Sequence, residues 1–193
     1  MTSPPHETDE ALATEARSGS RAAFEELVSR HGGAVVALLE RRCRDHHLAL
    51  DLAQEAWVRV FRALPYFDAS RSFRPWLFSI ALNAARDEGR RRKRSRIVSL
   101  DDYRESLPAK SSLDELDERA LIDDSIAHVD EPFRTAILLV DVHGLSYDEA
   151  ADSLGVAVGT IKSRVNRGRL AFRDHWLRLS GASTEELTLG GHS

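Results

Sequence analysis

Apolar residues recur every three or four positions along almost the whole chain, and no stretch shows the strict alternation of a half-buried strand. The pattern predicts a short amphipathic helix over 10–17, closed by Ser18-Gly19-Ser20. A long helix follows from Arg21, with Phe24, Leu27, Val28, Val35, Leu38 and Leu39 available for a core, and Gly32-Gly33 marks a place where it can bend. Another helix runs from about Leu48 to Leu64 and stops at Pro65. After a loop at 66–72, a further helix extends from Phe73 to about Arg94, with Pro75 tolerated in its first turn. Downstream, a helix over 118–129 precedes one opened by Asp130-Glu131-Pro132, whose stripe of Phe133, Ala136, Ile137, Leu138, Leu139 and Val140 demands burial before Gly144 ends it.

The segment 146–169 is the most specific. Ser146 and Glu149 stand at capping-box spacing, where each side chain satisfies an orphaned backbone N–H of a helix start. Gly155 suits the left-handed conformation of a sharp turn, and Ala150-Ala151 lets two helices cross closely. After the turn, Val158, Ile161, Val165 and Phe172 share one face. Lys162, Arg164, Arg167, Arg169 and Arg173 occupy the remaining surface, with no acid before Asp174. Two short helices, a tight turn and a basic outer face describe a helix-turn-helix, whose second helix enters a DNA major groove. Arginine forks there reach phosphate oxygens or the guanine edge.

Charge refines this picture. The net charge of −4 does not mark a nucleic-acid binder, but its distribution does. Between Arg86 and Arg96 seven cations face two acids, whereas between Asp101 and Asp124 nine acids face three cations. The fold expected is all-α: two small helical domains joined by a flexible acidic linker, the C-terminal one containing the helix-turn-helix. The divisions fall at a flexible tail over 1–9, a first domain over 10–95, a linker over 96–115, a second domain over 116–179 and a disordered tail over 180–193. Cys43 is the sole cysteine, which fits a reducing compartment. No CxxC or HExxH spacing suggests a metal, and His46-His47 read as exposed polar residues. With neither a signal peptide nor an apolar run of membrane-spanning length, a cytoplasmic protein without membrane insertion is expected. The paired acids Asp101-Asp102 and Asp123-Asp124 lack a base or metal spacing around them, so no enzyme and no cofactor is expected.

The first domain adds a second nucleic-acid signal. Trp57, Phe67, Phe73, Trp76 and Phe78 gather near the basic run Arg90-Arg91-Arg92-Lys93-Arg94. Rings for stacking beside cations for the backbone are what unpaired nucleic acid needs. Trp57, Trp76 and Phe78 individually fit the core better than a stacking role. The loop Asp68-Ala69-Ser70-Arg71-Ser72 has small polar groups suited to the edge of an extruded base.

Three segments, in order, resemble those of the sigma-70 family. Asp51-Leu52-Ala53-Gln54-Glu55-Ala56-Trp57-Val58-Arg59-Val60-Phe61 is similar to its polymerase-binding helix. Phe73-Arg74-Pro75-Trp76-Leu77-Phe78-Ser79-Ile80-Ala81-Leu82-Asn83-Ala84-Ala85-Arg86-Asp87 resembles its promoter-melting helix. Gly159-Thr160-Ile161-Lys162-Ser163-Arg164 resembles part of its C-terminal DNA-reading region. The short format is similar to that of extracytoplasmic-function sigma factors. The resemblance, spanning roughly Ala11 to Trp176, implies contact with the beta-prime clamp helices of core RNA polymerase through Asp51, Gln54, Glu55, Val58 and Arg59. It implies recognition and melting of the minus-ten element through the 66–72 loop, including Phe67, Asp68 and Ser70, and through Arg74, Asn83, Arg86, Asp87 and Arg90. The minus-thirty-five element would fall to Thr160, Lys162, Ser163, Arg164 and Arg167. Further implied partners are the polymerase beta flap, promoter DNA and an anti-sigma factor occluding both domains.

The chain departs from the family pattern at Leu82, where a basic residue is usual, at Ser20, where an acid is common, and at Gly168, where alanine is commoner. Gly168 is expected to loosen its helix by about 1 kcal/mol of propensity. The competing reading is a helix-turn-helix regulator working without polymerase, which leaves the Asp51 helix and the Arg90 cluster without a purpose.

Overall fold

The computed structural model describes residues 8–98 and 118–180, and those residues form helices joined by short turns, with no strand among them. The expected N-terminal tail up to residue 7, most of the linker and the C-terminal tail beyond 180 lie outside the described residues.

Side-chain caps set where the first helices begin. Helix α1 (Asp9–Arg17) is capped by Thr8, whose hydroxyl accepts from the Ala11 N–H. Helix α2 (Arg21–Cys43) is capped by Ser20, which accepts from the Ala23 N–H, so the serine at this departure from the family pattern still performs the capping. The helix passes through Gly32 and Gly33 without interruption and ends at Arg44, which takes the left-handed conformation at φ 58°. Helix α3 (His46–Ala63) starts two residues earlier than hydropathy suggests, because the Asp45 carboxylate accepts from the Leu48 N–H. It ends in a 3₁₀ turn, Leu64–Tyr66, containing Pro65. Helix α4 (Phe73–Val98) extends past the expected end near Arg94.

In the first domain, α1, α2 and α3 pack around the N-terminal half of α4. Leu27, Val35, Leu38 and Leu39 of α2, Leu52, Ala56 and Val60 of α3, and Phe73, Leu77, Phe78 and Ala81 of α4 are all buried. Burying each large apolar side chain contributes roughly 1.5–3 kcal/mol.

The second domain contains α5 (Glu118–Ala127), α6 (Phe133–Ile137) continuing into a π-helical turn at Leu138–Val142, α7 (Tyr147–Leu154) and α8 (Val158–Ser180). The capping box forms: Ser146 accepts from the Glu149 N–H at 3.2 Å, and the Glu149 carboxylate accepts from the Ser146 N–H at 2.9 Å. Gly155 turns the chain at φ 65°, and the Cβ-only side chains of Ala150 and Ala151 are buried at the crossing. The helix-turn-helix is therefore α7, turn, α8.

Gly168 corrects an expectation. It lies buried where α8 crosses α6, and a Cβ there would sit 2.6 Å from Ile137 Cγ2 and 3.0 Å from the Phe133 carbonyl oxygen. The glycine is thus a packing requirement of the α6–α8 crossing and not a loosening of the helix end. The β-branched Ile137 side chain has little rotamer freedom to retreat, and the Phe133 carbonyl belongs to the backbone.

The two domains pack against each other, chiefly through α4 and α7. The Ser153 hydroxyl bridges the Pro75 carbonyl at 2.9 Å and the Glu149 carbonyl at 2.8 Å. Arg41 of α2 pairs with Asp123 of α5 at 2.9 Å. Arg71 pairs with Asp152 at 2.6 Å, but both side chains are well exposed, so that pair adds little.

Gly168→Ala is expected to destabilise the chain by about 1–3 kcal/mol through overpacking, outweighing the roughly 1 kcal/mol that alanine gains in helix propensity. Urea unfolding followed by far-ultraviolet circular dichroism measures this, and a stabilised variant would show that the crossing can widen without penalty.

Candidate functional site

The α3 residues expected to meet polymerase share one face. Asp51, Gln54 and Val58 are exposed, and Glu55 and Arg59 are half-buried. Arg59 spans two helices: it donates to Glu55 Oε1 through Nε at 3.1 Å and Nη2 at 2.6 Å, and to Asp87 Oδ2 of α4 through Nη1 at 2.8 Å. The Arg59 hydrogen bond holds the Asp87 carboxyl below the usual carboxylate range. One guanidinium therefore joins residues assigned to two different partners. Beside this face, Phe24 packs edge-on against Trp57 and Phe61, while Phe61 remains 61% exposed.

The 66–72 loop differs from expectation in one respect. Phe67 is only 4% exposed, with its ring 4.7 Å from Trp76 and 5.7 Å from Phe73, so it supports the loop from beneath and is not on hand for an unstacked base. The exposed ring is Tyr66, at 89%. Its signal in the sequence is its place directly after Pro65, where the chain has left the amphipathic helix that would bury it. The Asp68 carboxylate is already engaged, accepting from Ser70 N–H at 3.0 Å and Ser70 Oγ–H at 2.8 Å. These two bonds hold its pKa below the ordinary value.

On α4, Asn83 and Asp87 are exposed and Arg86 donates to Asn83 Oδ1 at 2.7 Å. Asp87, Arg90, Lys93 and Arg94 line an open cleft of about 520 Å³. The neighbouring Arg91 and Arg92 both pair with Glu88. The basic run is thus divided by helical periodicity: its members either face the cleft or neutralise a carboxylate one turn back.

On α8, Lys162, Ser163 and Arg167 are exposed, while Thr160 and Arg164 are half-buried. Arg167 lies over the Phe133 ring at 5.8 Å. Arg169 is held bidentately by Asp141, at 3.0 and 2.6 Å, so that cation is committed to the domain's own fold.

Tertiary packing then brings the two sets of DNA candidates together. Arg74, Phe78, Leu82 and Arg86 recur at every fourth position of α4 and form the stripe that meets the second domain. Arg74 donates to the His143 carbonyl oxygen and lies over Phe78, whose ring is 4.9 Å from the His143 ring. Leu82, buried where the family pattern favours a cation, and Arg86 share a groove of about 390 Å³ with Leu154, Val156 and Arg164. His143 lies outside any motif, and Ser153, although inside the helix-turn-helix, carries no sequence signal of an interdomain contact. His143 is buried, its Nε2 has no hydrogen-bond partner among the described residues, and desolvation followed by the nearby Arg74 and Arg41 charges lowers its pKa to about 4.

Two family descriptions match the chain: sigma-70 region 2 over residues 27–95 and sigma-70 region 4 over residues 119–172. The chain is 35% identical to the ECF RNA polymerase sigma factor SigE of Mycolicibacterium smegmatis, with 84% of this chain matched to 65% of that longer relative. It is 33% identical to the RNA polymerase sigma-H factor of Pseudomonas aeruginosa, covering 86% of this chain and 92% of the relative. The ECF RNA polymerase sigma-E factor of Escherichia coli K12 is 31% identical over 85% of this chain and 92% of its own length. Among solved structures, CnrH in complex with the cytosolic domain of CnrY matches 91% of this chain and 99% of that chain, at a TM-score of 0.67 and 31% identity. The sigma factor RpoE from Bartonella quintana, in complex with the anti-sigma factor NepR, matches 83% of this chain and 98% of that chain, with a TM-score of 0.69 and 27% identity.

The buried His143 ring makes the interdomain contact acid-sensitive. The folded chain keeps the ring neutral, whereas the unfolded chain takes up a proton below about 6.5, so stability is lost as pH falls from 6.5 towards 4. His143→Phe preserves a ring against Phe78 and removes this loss, so unfolding midpoints of the variant are expected to fall less steeply than the wild type across that interval. Equal slopes would show that His143 is not the group responsible.

Proposed function

The chain belongs to the extracytoplasmic-function sigma factors of the sigma-70 family, and we propose that it works as an alternative initiation factor: it binds core RNA polymerase in the cytoplasm, reads two promoter elements and promotes strand opening. The chemistry of RNA synthesis stays with the polymerase. The observation that carries this reading is the joining of the α3 face to α4 through Arg59, which holds Glu55 and Asp87 at once. A regulator acting alone has no need for that face, whereas a factor that melts DNA only on polymerase must couple the two.

In this reading Asp51, Gln54, Glu55, Val58 and Arg59 meet the beta-prime clamp helices. Exposed Tyr66, the polar loop with Asp68 and Ser70, and Asn83, Arg86, Asp87 and Arg90 meet the minus-ten element, while Phe67 shapes the loop. Lys162, Ser163, Arg164 and Arg167 enter the major groove of the minus-thirty-five element, with Thr160 beside them. The exposed apolar residues Ile122 and Val142 offer the second domain a face for the beta flap. No helix among the described residues is long and apolar enough to cross a membrane.

The packed arrangement of the domains is the resting form. Elements centred at minus ten and minus thirty-five lie roughly 80 Å apart on duplex DNA at ~3.4 Å per base pair. Arg86 and Arg164 share one groove, so the domains must separate before both elements are read. The acidic net charge and the mutual covering of the two domains keep the free factor weak on DNA. Polymerase then supplies the effective concentration that makes the two-point grip strong. An anti-sigma partner, as named for the Bartonella neighbour, fits the same exposed apolar faces.

Purified chain added to core polymerase is expected to give promoter-dependent run-off transcripts. Changing the exposed pair Asp51→Ala/Gln54→Ala is expected to weaken polymerase binding by about tenfold or more, with DNA binding by α8 unaffected. This pair is the more informative choice because Arg59 also holds α3 to α4. Wild-type affinity in the double variant would remove α3 from the polymerase interface. Leu82→Lys places a cation in the closed seam and is expected to raise polymerase-independent DNA binding several-fold in a gel-shift titration. An unchanged affinity would argue against the closed form as the restraint.

A further inference from the structure

We propose that Asp124, His128 and His175 form a binding site for a divalent late transition-metal ion, with zinc as the reference case. Asp124 lies in the last turns of α5, and His128 stands four residues later, where its N–H continues the helical hydrogen bonding to the Asp124 carbonyl at 3.1 Å. This spacing puts the two side chains on one face. His175 comes from the far part of α8 and closes the group from the opposite side.

The donor atoms already stand near coordinating distances. His175 Nε2 is 3.1 Å and His128 Nδ1 3.6 Å from the same carboxylate oxygen, Asp124 Oδ2. Ligands at ~2.0–2.1 Å around a tetrahedral zinc are roughly 3.3 Å from one another, so the two observed separations bracket the requirement. One potential ligand atom from each residue lies within 4.8 Å of the other two. The imidazoles stack with centroids 3.5 Å apart and planes 16° from parallel, and ligation requires the rings to tilt so that their nitrogens meet at a common point and His128 to release its Nδ1 contact with the Asp124 carbonyl. His128 Nδ1 also lies 2.9 Å from the Asp124 main-chain oxygen, and binding a metal through this nitrogen would place the ring proton on Nε2.

Two imidazoles and one carboxylate suit zinc, cobalt, nickel or copper and disfavour magnesium and calcium, which prefer all-oxygen shells. An aspartate–histidine ion pair would engage only one ring, whereas here a second ring converges on the same carboxylate. His175 is buried in the α5–α8 seam and preorganised by packing, while Asp124 and His128 are about half exposed and leave an entry route. Three protein ligands leave a fourth position for water, which makes the site exchangeable and not a closed structural centre. An ion there would clamp α5 onto the same helix that carries Lys162 and Arg167 at its other end. Asp123, next in the chain, already ties α5 to α2 through Arg41, so the clamp sits one residue from an interdomain pair.

The test is titration of the tag-free, full-length chain with cobalt(II), followed by visible absorption, and with zinc(II), followed by calorimetry. One equivalent is expected to bind, with the intense d–d bands of four-coordinate cobalt. His128→Ala and Asp124→Asn, both at exposed positions, should each weaken binding by more than about tenfold while leaving the circular dichroism spectrum intact. The His46→Ala/His47→Ala variant should bind as the wild type does. The proposal is overturned if the wild type shows no saturable one-equivalent binding, if His128→Ala and Asp124→Asn bind as well as wild type, or if binding is lost with His46 and His47.

Discussion

The structure depends on α4 being covered from two sides. Phe73, Pro75, Leu77, Phe78, Ala81, Leu82, Ala84 and Ala85 are all buried, so the N-terminal half of this helix is enclosed over most of its circumference. A helix apolar on one stripe needs one neighbour, whereas one apolar nearly all round needs two. Helices α1–α3 provide the first, and α7 with the turn at His143 provides the second. The remainder follows from this sandwich: Arg74 finds the His143 carbonyl, Ser153 finds the Pro75 carbonyl, and the family-divergent Leu82 is buried. Because α4 also continues into the basic cleft, the closure of the two domains and the placement of Arg90, Lys93 and Arg94 depend on one continuous helix.

Ion pairing decides which charges remain available. Arg59, Arg91, Arg92 and Arg169 are engaged by Asp87, Glu88 and Asp141, while Lys162 and Arg167 stay exposed on α8 and Arg90, Lys93 and Arg94 line a cleft. Pairs whose guanidinium groups stay partly in water, as all of these do, are worth about 1 kcal/mol or less each. They are therefore latches more than foundations. Arg59 is half-buried and shared by two carboxylates, and it ties the exposed face of α3 to the cleft-lining side of α4.

Much of the fold was legible because its signals are local. The capping box at Ser146, the left-handed Gly155 and the small Ala150-Ala151 pair each act within a few residues, and each is realised as the spacing suggests. Asp45 shows how a cap can be passed over: Asp45-His46-His47-Leu48 is an aspartate before an apolar periodic run, but the polar His46-His47 pair masks the first turn. Phe67 and Gly168 depart from what their local sequence suggests for one shared reason. Whether an aromatic ring in a loop stacks outward or wedges inward, and whether a glycine is slack or a crossing point, depends on residues far away in the chain. Phe67 is held by Phe73 and Trp76, and Gly168 by Phe133 and Ile137.

By itself the sequence determined the helical period, the capped and terminated elements, the segregation of charge and three ordered motifs, because these depend on side-chain chemistry at fixed short separations. The tertiary structure decided which of those residues share a surface. It put Arg86 and Arg164 in one groove, set His143 against Phe78, and brought Asp124 and His128 beside a histidine about fifty residues away. No periodicity encodes such meetings. They arise from the angle and depth at which helices pack, and these are fixed only when burial on both sides of α4, and at the Gly168 crossing, is satisfied at once.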